Sequence, residues 1–281
     1  MRTGRPTRLL ALLVAAGVLL AACSGGGGED KSENEDVAGV EVWAVGDGPD
    51  AKEFAVRVAR MIAKAKPHRV LYLGDVYGNY EQRFDKTFGA AGIVERVLPT
   101  PGNHEWPSQR NGYLRYWAAV KGEPQPTYYS TRLGGWQVIS LNSEEAIGRQ
   151  SPQIAWLREQ VGAGTCRIAF THRPRYSAGR HGDQLDMEPI WEQLAGHTTL
   201  YLAGNDHTMQ RLAPRDGITT LIAGSGGRNF YTLDRSNPDL EFGNNTDFGA
   251  LRLRLSPGRA DYTFVSLDGE ELDSGRLRCR P

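Results

Sequence analysis

Three short apolar runs between residues 40 and 99 each lead into a glycine-bearing turn that carries polar side chains. The first two turns place Asp47 and Asp75 directly after a glycine, and the third places Asn103 and His104 directly after another. A single pair of this kind is typical of an ordinary turn. Three in succession, separated by helical patterns, indicate parallel β-α-β units, whose strands end at one edge of a sheet. We therefore expect an α/β fold in which these four side chains converge.

The segments between and after these runs predict the rest of the fold class. Segment 50–66 has apolar residues at helical spacing, with Asp50 as a candidate N-cap, and predicts the first connecting helix. Segment 128–141 instead predicts a β-hairpin and a buried strand that open a second sheet. Since no repeat and no change in composition interrupts the chain from residue 40 onward, we expect one domain, 40–281.

Two strands of the second sheet are also expected to end in polar residues. The run 167–171 leads to His172, and the run 199–203 leads to a glycine followed by Asn205, Asp206 and His207. With the earlier turns, these strand ends bring carboxylate, amide and imidazole groups together. Divalent or trivalent iron, manganese and zinc accept all three as ligands, and the lack of nearby thiolates argues against a closed structural zinc site.

This set is large enough for two metal ions. Two ions bridged by one carboxylate would clamp the oxygens of a phosphoryl group and supply hydroxide near neutral pH. The loop 173–183 is basic and aromatic and contains Arg180 and His181, a composition that suits an anionic substrate. An ordinary solvated loop with surface arginines is an equally good reading of that segment. The sequence contains no nucleophile-elbow, P-loop or dinucleotide-binding motif.

At these strand ends the chain resembles the calcineurin-like metallophosphoesterases, and within them a bacterial branch that is similar to purple acid phosphatases. The resemblance implies a four-layer αββα sandwich of two mixed β-sheets, with the site at the strand ends. The matching motifs are Gly46-Asp47, Gly74-Asp75, Gly102-Asn103-His104-Glu105, Thr171-His172 and Gly204-Asn205-Asp206-His207.

The resemblance also implies a role for each residue. His104 would protonate the leaving oxygen as a general acid. The metal ligands would be Asp75 as the bridge, Asp47 and His207 for the first metal, and Asn103 and His172 for the second.

The chain departs from the family pattern at two ligand positions. Asn205 stands where the family has a histidine, so it is at most a weak ligand of the second metal. The tyrosine that the purple-acid-phosphatase branch has three residues after the bridging aspartate is replaced by Gly78. Tyr77 lies one residue short and could be a weak metal ligand only if the loop shifts. We expect a phosphate monoesterase that uses hydroxide bound at a dinuclear site. The alternatives are a phosphodiesterase, and a weakened or inactive relative that binds phosphate ligands or an envelope partner.

The N-terminus predicts export and a lipid anchor. Three arginines precede an apolar run that is shorter than a spanning helix needs, which is typical of a signal peptide over residues 1–22. Leu20-Ala21-Ala22-Cys23 resembles the lipobox of bacterial lipoproteins, which implies that lipid on Cys23 holds the protein to the bacterial cell membrane, outside the cytoplasm. A cleaved signal with an incidental cysteine is the alternative. Residues 23–39 are rich in glycine and charged residues and are expected to form a flexible linker.

The charge balance and the remaining cysteines limit which other partners and reactions are expected. The chain has 33 basic and 33 acidic side chains, so we predict no nucleic-acid binding, and nothing in the sequence identifies a protein partner. Cys166 and Cys279 could form a disulfide outside the cytoplasm or stay as two thiols. Since the sequence has no CxxC motif, redox catalysis is not expected.

Overall fold

The computed structural model describes residues 39–50, 52–106 and 110–279. Across these residues the chain forms thirteen β-strands and five α-helices. The strands are β1 (Val40–Val45), β2 (Arg69–Tyr72), β3 (Val97–Pro99), β4 (Tyr129–Leu133), β5 (Trp136–Ser140), β6 (Arg167–Phe170), β7 (Leu200–Ala203), β8 (Met209–Leu212), β9 (Thr219–Ala223), β10 (Leu240–Asn244), β11 (Gly249–Ser256), β12 (Arg259–Ser266) and β13 (Glu271–Arg278). The helices are α1 (Glu53–Ala65), α2 (Tyr80–Phe84), α3 (Arg110–Lys121), α4 (Pro152–Gln160) and α5 (Glu188–Leu194).

The strands form two mixed sheets. The first sheet has the order β13-β12-β11-β1-β2-β3, and the second has the order β10-β8-β9-β7-β6-β5-β4. In the first sheet β1, β2 and β3 are parallel, and in the second sheet β5, β6, β7 and β9 are parallel. The remaining pairings are antiparallel. Since the parallel strands of each sheet end at one edge, the turns that follow them lie together.

Successive side chains of each sheet alternate between two apolar layers. Val42 and Leu71 of the first sheet and Ile168 and Leu202 of the second belong to one core of fully buried side chains between the sheets. The opposite face of the first sheet packs against α1, α2 and α3, and that of the second sheet packs against α4 and α5. The protein is therefore a four-layer αββα sandwich, which confirms the predicted fold class.

The first helix begins later than its sequence predicts. Helix α1 starts at Glu53, with Lys52 as its N-cap residue, so the assignment of Asp50 as the N-cap is wrong. The carboxylate of Asp50 instead accepts the backbone N–H of Lys52 at 2.9 Å and lies 3.3 Å from the guanidinium of Arg228. Asp50 is buried and pairs with Arg228, which is distant in sequence. Signals for a helix start in the local sequence do not reveal such a role.

A disulfide joins the two sheets at the edge opposite the polar turns. Cys166 directly precedes β6 and Cys279 directly follows β13, and their sulfur atoms are bonded. This confirms the disulfide rather than two thiols. A bridge across 113 residues typically stabilises a fold by ~2–4 kcal/mol.

The described part of the chain contains no helix that is both long enough and apolar enough to cross a membrane. The predicted signal peptide, Cys23 and all of the linker except its last residue lie outside the described residues.

Candidate metal centre

The carboxyl ends of β1, β2, β3, β6 and β7 place the predicted site residues at one edge of the sandwich. Asp47, Asp75 and His172 are buried there, and each offers an oxygen or nitrogen atom within 4.8 Å of the others. Asn103 and His207 lie against this cluster, as the distances below show. The convergence expected from the strand-end motifs is therefore present in the fold.

The turns after the strands have an unusual backbone. Asp47 has a φ of 58°, and Asp75 and Asn205 each have a φ of 66°. Residues with a Cβ seldom adopt this left-handed conformation, and such residues cluster at functional sites. In the turn after β3, a Cβ added to Gly102 would meet the carboxylate of Asp75, so only glycine fits there.

One group of donors surrounds Asp47. The Nε2 atom of His207 lies 3.5 Å from Oδ1 of Asp47. The hydroxyl of Tyr77 lies 2.8 Å from Nε2 of His207 and 3.3 Å from Oδ1 of Asp47. Tyr77 therefore reaches the group although it lies one residue short of the family position, because the turn after β2 brings its ring across the strand ends.

A second group of donors surrounds Asp75. The Nε2 atom of His172 lies 3.1 Å from Oδ1 of Asn103 and 3.3 Å from Oδ1 of Asp75. Asp47, Asp75 and His172 each offer an atom within 4.8 Å of the others, so the two groups adjoin one another.

Backbone carbonyl groups orient both histidines. The Nδ1 atom of His172 lies 2.8 Å from the carbonyl oxygen of Leu73, and that of His207 lies 2.6 Å from the carbonyl oxygen of Asn229. When Nδ1–H donates to these carbonyls, each Nε2 atom is left with a free lone pair. Such anchoring is a common feature of metal-binding histidines.

The electrostatics of the site fit a cation. Burial raises the pKa of Asp75, and the charge of Asp47 raises it further. Burial by itself lowers the pKa of His172, but the carboxylates of Asp75 and Asp47 overcome this and raise it to about 9. Two buried carboxylates thus need positive charge beside them, and a metal ion would supply it in place of a proton. The oxygen and nitrogen donors present are suitable for iron, manganese or zinc.

His104 differs from the other site residues because its side chain is 42% exposed. Its Nε2 atom lies 3.8 Å from Oδ2 of Asp75, and its backbone N–H donates to Oδ1 of Asp75 at 3.0 Å. The ring also contacts Tyr77, with 4.5 Å between the ring centres. His104 is therefore at the opening of the site, where a bound molecule could reach it.

Asn205 contributes to the site through its backbone. Its N–H donates to Oδ2 of Asp47 at 2.9 Å, and the residue is 7% exposed. The side-chain amide makes no hydrogen bond with any of the described residues. The amide oxygen is thus free to act as a weak ligand.

Basic and aromatic side chains surround the opening. The ring of Tyr231 stacks on His207 at 3.8 Å, and the guanidinium of Arg180 lies 5.0 Å from the centre of the Tyr231 ring. His181 is oriented by Asp206, whose Oδ1 lies 2.9 Å from Nδ1 of the imidazole.

Arg228 is a second arginine at the opening that the sequence motifs did not identify. Its guanidinium lies 4.4 Å from the centre of the Tyr77 ring, and its backbone N–H donates to the carbonyl oxygen of Asp47. The only local signal for this position was the glycine-rich segment 224–227 directly before Arg228, because glycines let the backbone pass close to a site.

Glu105 is the other residue whose role is visible only in the fold. It is fully buried, and its carboxylate accepts the backbone N–H groups of Gly102 at 2.7 Å, of Asp75 at 3.0 Å and of Val76. Burial and the charge of Asp75 raise the pKa of Glu105 to about 8. This carboxylate ties the turn after β2 to the turn after β3 and so positions Asp75 and Asn103.

We expect Glu105→Gln to lower metal affinity by ~10–100-fold, since residues that orient metal ligands have effects of this size. Glutamine has the same shape but only one acceptor oxygen, so the three N–H groups cannot all stay bonded. The measurement is metal retention against a chelator, followed by elemental analysis. The exposed Glu123→Gln is the matched control, and equal retention by both variants would show that Glu105 does not position the ligands.

Comparisons with known proteins agree with this geometry. The model of the calcineurin-like phosphoesterase family matches residues 41–224, a span that contains both donor groups. Tartrate-resistant acid phosphatase type 5 of the pig, Sus scrofa, is 23% identical over 297 aligned positions, which cover 84% of this chain and 86% of the relative.

Two solved structures share the fold. Purple acid phosphatase PPD1 from seeds of yellow lupin, Lupinus luteus, matches with a TM-score of 0.73 and 17% identity over 85% of this chain and 53% of that chain. This chain thus spans about half the length of the lupin protein. A dimetal phosphatase from Danio rerio matches with a TM-score of 0.61 and 11% identity over 85% of this chain and 98% of that chain.

Proposed function

Because the chain belongs to the calcineurin-like phosphoesterase family, we propose that this phosphoesterase hydrolyses phosphate monoesters at a dinuclear metal centre, outside the cytoplasm. The observation that carries the proposal is a pair of adjoining donor groups, one around Asp47 and one around Asp75, at the same edge of the sandwich. One fold relative is a dimetal phosphatase, which supports the same reading.

Each donor group would hold one metal ion. Asp47, His207 and Tyr77 would bind the first ion, Asn103 and His172 the second, and Asp75 both. Bound metals of this kind supply Lewis acidity toward a phosphoryl group and hydroxide near neutral pH.

The residues at the opening supply the remaining functions. The guanidinium of Arg180 lies over the ring of Tyr231, and that of Arg228 lies over the ring of Tyr77. Both tyrosines contact His207. Two guanidinium groups suit the two negative charges of a monoester better than the single charge of a diester. His181 would orient the phosphate group. His104 would hold a proton at Nε2 for the leaving oxygen.

The direct test compares a monoester with a diester. Protein purified with iron, manganese or zinc is expected to hydrolyse an aryl phosphate with a kcat/KM at least about tenfold above that for the corresponding diaryl phosphate. A reversed ratio would identify a phosphodiesterase. Rates no higher than those of Asp75→Ala, with either ester and any of the three metals, would reject the enzymatic proposal and leave a phosphate-binding relative.

We expect Asn205→His to raise affinity for the second metal by about tenfold, because a neutral imidazole is a stronger ligand for iron and zinc than an amide oxygen. The measurement is the metal-to-protein ratio by elemental analysis at limiting metal. Asn237→His is the control, since Asn237 lies in the turn just before β10 and its side chain bonds only within that turn. An unchanged ratio and rate would place Asn205 outside the ligand set.

The proposed location rests on Cys23 and on the disulfide. Disulfides persist mainly in oxidising compartments, which agrees with an exported protein. If lipid on Cys23 anchors the chain, the protein partitions into detergent and Cys23→Ser partitions into water. Equal partition of the two would reject the anchor.

A further inference from the structure

A separate cavity of about 390 Å³ opens at the edge of the second sheet opposite the metal centre. It is lined by residues that precede or begin β6, β7 and β9 and by the end of β13. Those strands have their carboxyl ends at the metal centre, so the two sites are separated by at least the length of a four-residue strand, about 13 Å. The Cys166–Cys279 bridge adjoins two of the lining segments and fixes them to each other.

The cavity contains one buried hydroxyl group that has no partner among the described residues. Thr198 is 5% exposed, and its Oγ1 atom is buried without a hydrogen bond to any described residue. Thr219 is 6% exposed, and its hydroxyl also bonds to no described side chain or backbone group. Thr165 and Thr199 line the same space. Because buried polar groups in folded proteins are nearly always hydrogen-bonded, the hydroxyl of Thr198 indicates a bound polar molecule.

The lining is also positively charged. Neither Arg278 nor His197 forms an ion pair with an acidic side chain of the described residues, and the lining contains no aspartate or glutamate. A guanidinium group binds a carboxylate or phosphate through two parallel hydrogen bonds. Threonine hydroxyls both donate and accept, as sugar hydroxyls do.

We propose that this cavity binds a small anion that carries several hydroxyl groups, of the size of an acidic or phosphorylated monosaccharide. Its volume lies in the range of small-molecule sites. Arg278 binds the anionic group, and the threonines bind the hydroxyls. This site is independent of the phosphoesterase activity.

The test is calorimetric titration of the full chain with glucuronate, which has no phosphoester bond to hydrolyse. We expect saturable binding with a Kd of about 1 mM or lower, and binding of uncharged glucose at least about tenfold weaker. Glucose 6-phosphate, titrated into Asp75→Asn so that it is not consumed, distinguishes a phosphate from a carboxylate as the preferred anionic group. The proposal is supported if either anion binds and if substitutions in the cavity lining weaken that binding.

Substitutions of the lining residues show whether the anion binds in this cavity. Thr198→Val keeps the size of the side chain and removes the unpartnered hydroxyl, and Arg278→Gln removes the charge. Each is expected to weaken binding by about tenfold or more. The controls are Thr220→Val, whose side chain lies on the opposite face of β9, and Arg60→Gln on α1. The proposal is overturned if neither anion binds, if glucose binds equally well, or if the cavity variants bind as the controls do.

Discussion

Replacing Asp75 by asparagine should remove the bound metal and lower kcat/KM for an aryl phosphate by at least about 1,000-fold, or about 4 kcal/mol. Asp75 offers an oxygen atom within 4.8 Å of donor atoms of Asp47 and His172 in the buried cluster. Asparagine has nearly the same size but no charge, so it cannot balance two metal ions. The substitution also removes one of the three carboxylate charges, those of Asp75, Asp47 and Glu144, that raise the pKa of His172.

The measurement pairs elemental analysis with steady-state kinetics on the same sample. Asp268→Asn is the control, because that carboxylate is 83% exposed in the turn between β12 and β13. Loss of activity with full metal content would assign Asp75 to another role. Full activity with full metal content would reject the site.

The second large effect is expected for His104→Gln, which should lower kcat by about 100- to 10,000-fold for esters with poor leaving groups. An alkoxide leaving group needs a proton, whereas nitrophenolate does not. The loss should therefore be much smaller for nitrophenyl phosphate than for an alkyl phosphate. Metal content should stay at the wild-type level, because the turn is held to Asp75 by the backbone N–H of His104 rather than by its ring.

The measurement is kcat over a series of monoesters whose leaving-group pKa values span several units. His68→Gln, an exposed histidine just before β2, is the control. An equal loss across the whole series would show that His104 binds substrate or positions another group without donating a proton.

The local motifs of the chain predict an α/β fold and the convergence of the strand-end side chains, whereas the four-layer arrangement was implied by the resemblance to a family. Polar residues directly after an apolar run indicate the end of a strand. Because parallel strands end at the same edge of a sheet, Asp47, Asp75 and His172 could be predicted to lie close together before any contact was known. The helix α3 was not predicted, although Tyr113, Tyr116 and Trp117 have helical spacing and pack against the first sheet.

Other parts of the site depend on contacts between distant segments. Tyr77 does not have the family spacing, and it joins the first donor group only because its ring reaches His207, 130 residues away. Glu105 is part of a recognised motif, but its three backbone bonds exist only where the turns after β2 and β3 meet. Arg228 lies beside Tyr77 because a glycine-rich loop from the other sheet crosses the strand ends.

The sequence by itself thus determined which side chains end the strands, and with them the chemistry of the donors. The tertiary structure alone decided that Tyr77 reaches His207 and Asp47, that Glu105 holds the two turns together, and that the unpartnered hydroxyl of Thr198 lies at a second cavity at the far edge. The physical reason is that spacing and turn residues set local backbone geometry, whereas side-chain contacts across 30 or 130 residues are set by how the two sheets pack.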